Sequence, residues 1–201
     1  MGTLIKLCGM TTEEDISLVN RLRPEYVGFV LFFPKSRRDL TLERAEELVR
    51  RLDGIKAVAV TVSPTPEQVK AINGAGFDMI QIHGELSDET YNCCELPIIR
   101  AFNDADEAEL ERCKSLDKIV TFLFDAAEPG SGRTFDWDKL KTLDTAGRKL
   151  FLAGGLNPDN VRRAIEAVRP DGVDVSSGIE RPQGGKDAVL AEGFVRSVRN
   201  I

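Results

Sequence analysis

The sequence predicts an α/β fold, a (β/α)8 TIM barrel that forms a single compact domain over residues 1–201. Three observations predict it. Short apolar runs recur roughly every 20–30 residues, as successive βα units require. Segments with helix-start signals separate them. Glycines and polar residues gather where each run gives way to the next helix, and that is the end of the fold that carries chemistry.

In order, the runs are LIKLCG, YVGFVLF, IKAVAVTV, DMIQIHG, LPIIRAF, KIVTFLFDA, KLFLAGG and DGVDVSSG. Near-continuous apolar runs suit strands of a parallel sheet covered by helices. The intervening segments carry their own punctuation. TTEEDISLVNRL places Thr11 before an acidic first turn, and TLERAEELVRRL starts on Thr41 and ends in basic residues, matching the helix dipole. TPEQVKAINGAG has Pro66 near its start and Gly74 and Gly76 at its end, and NPDNVRRAIEAV repeats the pattern from Asn157 and Pro158. SDETYNCCE and FDWDKLKTL are the briefest helical segments. An open doubly wound sheet is the alternative, but no G-x-G-x-x-G follows the first strand.

Composition limits the function. With 42% hydrophobic and 30% charged residues, the chain reads as an ordinary globular protein. No apolar run is long enough to span a membrane, and MGTLIKLCGM enters a strand at once without a signal-peptide pattern. The four cysteines form no C-x-x-C, so reduced thiols in the cytoplasm are the expectation, with no metal site. A net charge of -6 argues against nucleic acid but permits a small anionic ligand at a local site.

The strand ends define the candidate site. Gly154 and Gly155 follow the seventh run, and Ser176, Ser177 and Gly178 follow the eighth. Glycine lets backbone N–H groups approach an anion, and phosphate sites of this fold are often built after strands seven and eight. Tight turns alone would also use these glycines, but two adjacent loops favour a phosphate site formed by Gly154, Gly155, Ser177 and Gly178.

Cys8 ends the first strand and Asp125 the sixth. Alternation puts Lys6 with Cys8 on one strand face, and Leu123 with Asp125. With both faces inward, a thiol and a carboxylate flank one ligand, an arrangement suited to proton abstraction and proton donation. The thiol then needs a depressed pKa and the carboxyl a raised one. Singly, Cys8 would be a small buried filler and Asp125 a helix cap or ion-pair partner. His83 is the single histidine, which excludes multi-histidine metal sites; substrate contact and structural hydrogen bonding are both open to it. Arg37 and Arg38 follow the second strand. A solvated basic pair is the plain reading, yet an arginine fork suits a carboxylate.

Taken together, KLCGMT, GFVLFFPKSRR, QIHGE, LFDAAEPGSGRTFDW, LAGGLNPDNV and DVSSGIERPQGGKD resemble the phosphoribosylanthranilate isomerases of tryptophan biosynthesis, over nearly the whole length. The resemblance implies Cys8 as general base, Asp125 as general acid, Arg38 on the anthranilate carboxylate, Asp174 near the anthranilate amine, and the glycines and Ser177 on phosphate. The implied reaction is an Amadori rearrangement of N-(5-phosphoribosyl)anthranilate to 1-(2-carboxyphenylamino)-1-deoxyribulose 5-phosphate, with no cofactor. The partner expected is that phosphorylated aminosugar; monomer and homodimer are both open. VAVTVSP departs from the usual third strand and leaves Thr61 and Ser63 without roles, and QGGKD departs from the usual loop after the eighth. Two alternatives stand beside this reading. A histidine-pathway aminoaldose-phosphate isomerase would use two aspartates, which Cys8 disfavours. A non-catalytic phosphate-binding barrel would have no need of both Cys8 and Asp125.

Overall fold

A computed structural model describes residues 2–102, 107–125 and 140–201. Eight parallel strands form the barrel: β1 (Leu4–Cys8), β2 (Tyr26–Leu31), β3 (Lys56–Val62), β4 (Met79–His83), β5 (Ile98–Phe102), β6 (Ile119–Phe124), β7 (Lys149–Leu152) and β8 (Gly172–Val175). Each strand pairs with its sequence neighbours, and β1 pairs with both β2 and β8, so the sheet closes. Asp39–Leu40 add a two-residue strand beside the end of β2, an addition that the apolar-run pattern could not show.

Seven α-helices lie among the described residues: α1 (Glu13–Leu22), α2 (Leu42–Val49), α3 (Pro66–Asn73), α4 (Asp88–Cys93), α5 (Glu107–Lys114), α6 (Val161–Val168) and α7 (Ala188–Arg199). Thr41 caps α2 as expected, and Thr65 caps α3 with Pro66 in the first turn. Two helix starts differ from the sequence reading. Thr12, not Thr11, caps α1, because its hydroxyl accepts the Asp15 N–H at 3.1 Å while the Asp15 carboxylate takes the N–H groups of Thr11 and Thr12. α6 begins after Asn160 rather than at Asn157. Asn157 and Asn160 first close a turn through side-chain bonds to backbone N–H groups, an alternative that asparagine offers a helix start. The segment FDWDKLKTL, with Trp137, falls mainly outside the described residues.

Alternation along the strands creates two apolar regions. Outward residues such as Ile5, Leu7, Val27, Phe29, Ile80, Ile82, Phe122 and Phe124 join the helices in the larger core. Inward residues Tyr26, Val58, Val60, Met79, Ile99, Ala101, Leu123 and Phe151 fill the barrel. Gly172 makes that filling fit: a Cβ there would stand 2.5 Å from the Phe151 ring. Phe151 instead reaches Tyr26 edge-on at 5.7 Å between centroids. Above this apolar plug, nearer the strands' C-terminal ends, the inward residues turn polar.

Candidate active site

A cavity of about 450 Å³ opens at the C-terminal ends of the strands. It brings together Cys8, Arg38, His83, Asp125, Gly154, Gly155, Asp174, Ser176 and Ser177. Cys8 lies on β1, His83 on β4, Asp125 directly after β6 and Asp174 on β8, so the carboxylate and thiol approach the cavity from separated strands. Asp125 is positioned by its backbone N–H, which donates to the Phe102 carbonyl at 2.9 Å.

The turn after Cys8 explains why β1 stops there. Gly9 has φ +80°, and the N–H groups of Gly9 and Met10 both donate to the Gly28 carbonyl, at 2.9 and 3.0 Å. A Cβ on Gly9 would meet the Arg38 stem at 2.5 Å. Opposite, Gly28 gives Cys8 its space: a Cβ there would lie 2.7 Å from the thiol sulfur. The Ser176 hydroxyl donates to the Cys8 carbonyl at 3.1 Å and joins the β1 and β8 loops.

Electrostatics around Cys8 depart from the expected depressed thiol. Burial pushes the thiol up. Lys6 and Lys186 draw it down and Asp174 opposes them, so the net shift is upward. Burial is the largest cause, and the nearby cations that oppose it are themselves paired with carboxylates. Lys6 Nζ lies 2.9 Å from Asp174 Oδ1, and Lys186 Nζ lies 2.8 Å from Glu180 Oε1.

Arg38 lines the cavity, but its fork is not open. Nε and Nη2 donate to the two Glu180 oxygens at 2.6 and 2.8 Å. Arg37 also ion-pairs with Glu180. The reading of Arg37 as a merely solvated base is therefore corrected: Glu180 is nearly buried and collects three cations, Arg37, Arg38 and Lys186. Desolvation of its carboxylate is outweighed by hydrogen bonds from Arg38 and Lys186, which hold it at about 2. This carboxylate escaped the sequence reading because its partner Arg38 is 142 residues away; the one available signal was an acid directly after the SSG turn.

In the phosphate region, Gly154 and Gly155 have φ +86° and +61°, and the space before Gly155 is open. The Asn160 amide donates to the Gly155 carbonyl at 2.9 Å and braces the loop. Ser177–Ile179 form a short 3₁₀ turn. Gly178 is placed differently from its neighbours. A Cβ on it would stand 1.9 Å from the Leu156 carbonyl oxygen, so it lets the β7 and β8 loops abut. His83 Nε2 lies 2.7 Å from Gln81 Nε2, and both residues line the cavity. Thr61 and Ser63 acquire structural roles: Thr61 donates to the Gln81 carbonyl at 3.1 Å, and Ser63 Oγ accepts the Glu85 N–H at 2.9 Å.

A second hollow, of about 620 Å³, lies outside the barrel around Arg100, Glu109 and Arg112. Its guanidiniums are matched by Glu109 and Asp88 at 2.8–3.1 Å, so its charge is already spent internally.

Comparison with known proteins agrees with this fold. The model of the N-(5'-phosphoribosyl)anthranilate (PRA) isomerase family matches residues 5–197. The enzyme of that name from Streptococcus mutans serotype c is 38% identical over 98% of this chain and 99% of its own length, and that of Aquifex aeolicus is 36% identical over 98% of each. The crystal structure of the Thermotoga maritima phosphoribosyl anthranilate isomerase superposes with a TM-score of 0.87 at 34% identity, covering 99% of this chain and all of the other. A phosphoribosyl anthranilate isomerase bound to reduced 1-(o-carboxyphenylamino)-1-deoxyribulose 5-phosphate superposes at 0.84, with 32% identity and the same coverage. The chain thus has full-length counterparts in both sequence and structure, and it belongs to the N-(5'-phosphoribosyl)anthranilate isomerase family.

Proposed function

We propose that Cys8 and Asp125 are the general base and general acid of this isomerase. The observation that carries the assignment is their convergence on one cavity from β1 and β6, beside the glycine loops after β7 and β8. The substrate is the phosphorylated aminosugar N-(5'-phosphoribosyl)anthranilate. Its phosphate lies against Gly154, Gly155 and Ser177; the two glycines have positive φ, and open space at Gly155 allows close approach to backbone N–H groups. Gly178 contributes by keeping the two loops in contact.

Asp125 protonates the furanose ring oxygen, and the C1–O bond breaks to leave a Schiff base. Cys8 then removes the C2 proton, and the C–H electron pair forms the C1=C2 bond as the iminium π pair moves to nitrogen. The enolamine tautomerises to the ketone product. The raised thiol pKa fits this order: the iminium cation adds to the cavity positive charge that favours thiolate. Asp174 faces the anthranilate nitrogen. Arg38 offers its remaining Nη1 to the anthranilate carboxylate while Glu180 holds the rest of the fork. His83, oriented by Gln81, contacts the sugar. All four cysteines are free, which supports a reducing cytoplasmic setting, and no helix among the described residues is long and apolar enough to cross a membrane. Among the structural relatives is a monomeric form generated from the dimeric Thermotoga maritima enzyme.

The test is conversion of phosphoribosylanthranilate by the purified protein, followed by loss of anthranilate-type fluorescence, with the product identified by mass and NMR. The histidine-pathway aminoaldose phosphate is assayed in parallel. Turnover of the anthranilate substrate with a much higher kcat/KM is expected. Preference for the other substrate, or binding without turnover, contradicts the proposal.

A further inference from the structure

Lys6 is a fully buried cation inside the barrel, two residues before Cys8 and on the same face of β1. An ammonium there is unfavourable unless paired, and an apolar side chain of similar length would fill the space without that penalty. Its surroundings show what it is paired with. Nζ lies 2.9 Å from Asp174 Oδ1, across the register pair of Lys6 and Asp174. Its charge also acts on the Cys8 thiol, each favouring the other's charged form. Gly28 completes the arrangement from β2: a Cβ there would stand 2.7 Å from Cys8 Sγ and 3.2 Å from Lys6 Nζ. Both groups therefore border the hollow that glycine leaves.

We propose that Lys6 is a positioning residue for proton abstraction: its ammonium, held by Asp174, is the counter-ion of the Cys8 thiolate and steers the sulfur toward the cavity. This rests on the reading of Cys8 as the base. Lys6 keeps its protons throughout. The sulfur lone pair forms the new S–H bond to the C2 proton, and the ammonium balances the sulfur's charge before that transfer and remains paired with Asp174 after it. Burial works against the Lys6 charge, but Asp174 and Cys8 outweigh it and hold the amine protonated.

Other charged groups face the same sulfur or cavity: Asp174 from β8, Lys186 and Glu180 from the segment after β8, Arg38 from the loop after β2, and His83 and Asp125 from β4 and β6. Lys186 is engaged by Glu180 and by the Ser176 carbonyl at 3.2 Å, and Arg38 by Glu180. Of the cations that draw the thiol down, Lys6 acts most strongly, and it shares the hollow at Gly28 with the sulfur.

The experiment reads the thiol itself. Full-length protein is alkylated with iodoacetamide from pH 6 to 11, and the Cys8 peptide is followed by mass spectrometry to separate it from Cys93, Cys94 and Cys113. Lys6→Met should slow Cys8 alkylation about tenfold at pH 8, the change that one pKa unit gives, with kcat falling in parallel and KM nearly unchanged. Lys6→Arg should restore most of the wild-type profile. A Lys6→Met profile that superposes on wild type overturns the proposal, even if the variant melts earlier. If Lys6→Met does not fold, Asp174→Asn serves instead: freeing Lys6 from its carboxylate should move the alkylation midpoint to lower pH, and an unmoved or raised midpoint overturns the proposal. A displaced profile with unchanged kcat contradicts Cys8 as the base, and with it any part for Lys6 in turnover. That outcome separates failure of the underlying reading from failure of the Lys6–thiolate pairing.

Discussion

Glu180 shows how one residue organises the substrate end of the site. It accepts from both nitrogens of the Arg38 fork and from Lys186, and it ion-pairs with Arg37. Removing Arg38 should therefore cost substrate affinity through one charge-assisted contact, about 1.5–3 kcal/mol, seen as a raised KM in Arg38→Ala. Glu180→Gln should also raise KM, because an unheld Arg38 must be ordered on binding, and it should lower stability by leaving three cations poorly matched. The stability effect carries a pH signature. The folded-state pKa of Glu180, about 2, lies below its ordinary value of 4.5. Its contribution is thus fully present above about pH 4.5 and is lost as pH falls toward 2. Melting curves of wild type and Glu180→Gln should differ most above pH 5 and converge near pH 2; a constant gap contradicts the assignment.

Among the elements, β1, β2 and the β7 and β8 loops fix the chemistry through contacts that glycines permit. Gly28→Ala would place a methyl group within 2.7 Å of Cys8 Sγ. Displacement of the sulfur should reduce kcat more than KM, while overpacking costs about 1–3 kcal/mol of stability. Gly178→Ala should be worse for stability, since the 1.9 Å clash is with the Leu156 backbone oxygen, which cannot rotate away. Gly155→Val tests the phosphate loop. Nothing in the protein crowds that position, so after correction for strain at φ +61° by calorimetry, weaker binding of the phosphorylated product reports steric exclusion. Unchanged affinity in a folded Gly155→Val protein would put the phosphate elsewhere. At the helix starts, Thr12→Ala removes a reciprocal cap and should cost about 1 kcal/mol, whereas Thr11→Ala should cost less. The sequence reading chose Thr11 because adjacent threonines look alike; only the Asp15 carboxylate reaching back over the turn distinguishes them. Asn157 misled in the same way, since its local turn competes with the helix that follows.

At the scale of the whole molecule, strand order and the meeting of Cys8 with Asp125 were legible because alternation in a closed barrel determines which residues face inward; Asp174 was reached only through the family resemblance, and His83 was open between substrate contact and structural hydrogen bonding. Contacts between distant loops were not. Lys6 and Asp174 are 168 residues apart, and Arg38 and Glu180 are 142 apart, so no local period joins them. The direction of the Cys8 shift was missed because sequence shows neither how deeply the thiol is buried nor that Asp174 pairs with Lys6 beside it. The two-residue strand Asp39–Leu40 carries no apolar run, and it is fixed by pairing with β2.

The central claim is that a thiol on one side of the barrel and a carboxylate on the other carry out one rearrangement. Its most direct test is single-turnover conversion of phosphoribosylanthranilate by wild type, Cys8→Ser and Asp125→Asn, each shown by calorimetry to be folded and to bind product. Loss of about 10²–10⁴ in the chemical rate is expected for each variant, the range for removal of a positioned acid or base, with product affinity within a fewfold of wild type. A folded Cys8→Ser or Asp125→Asn protein that turns over at close to the wild-type rate would contradict it.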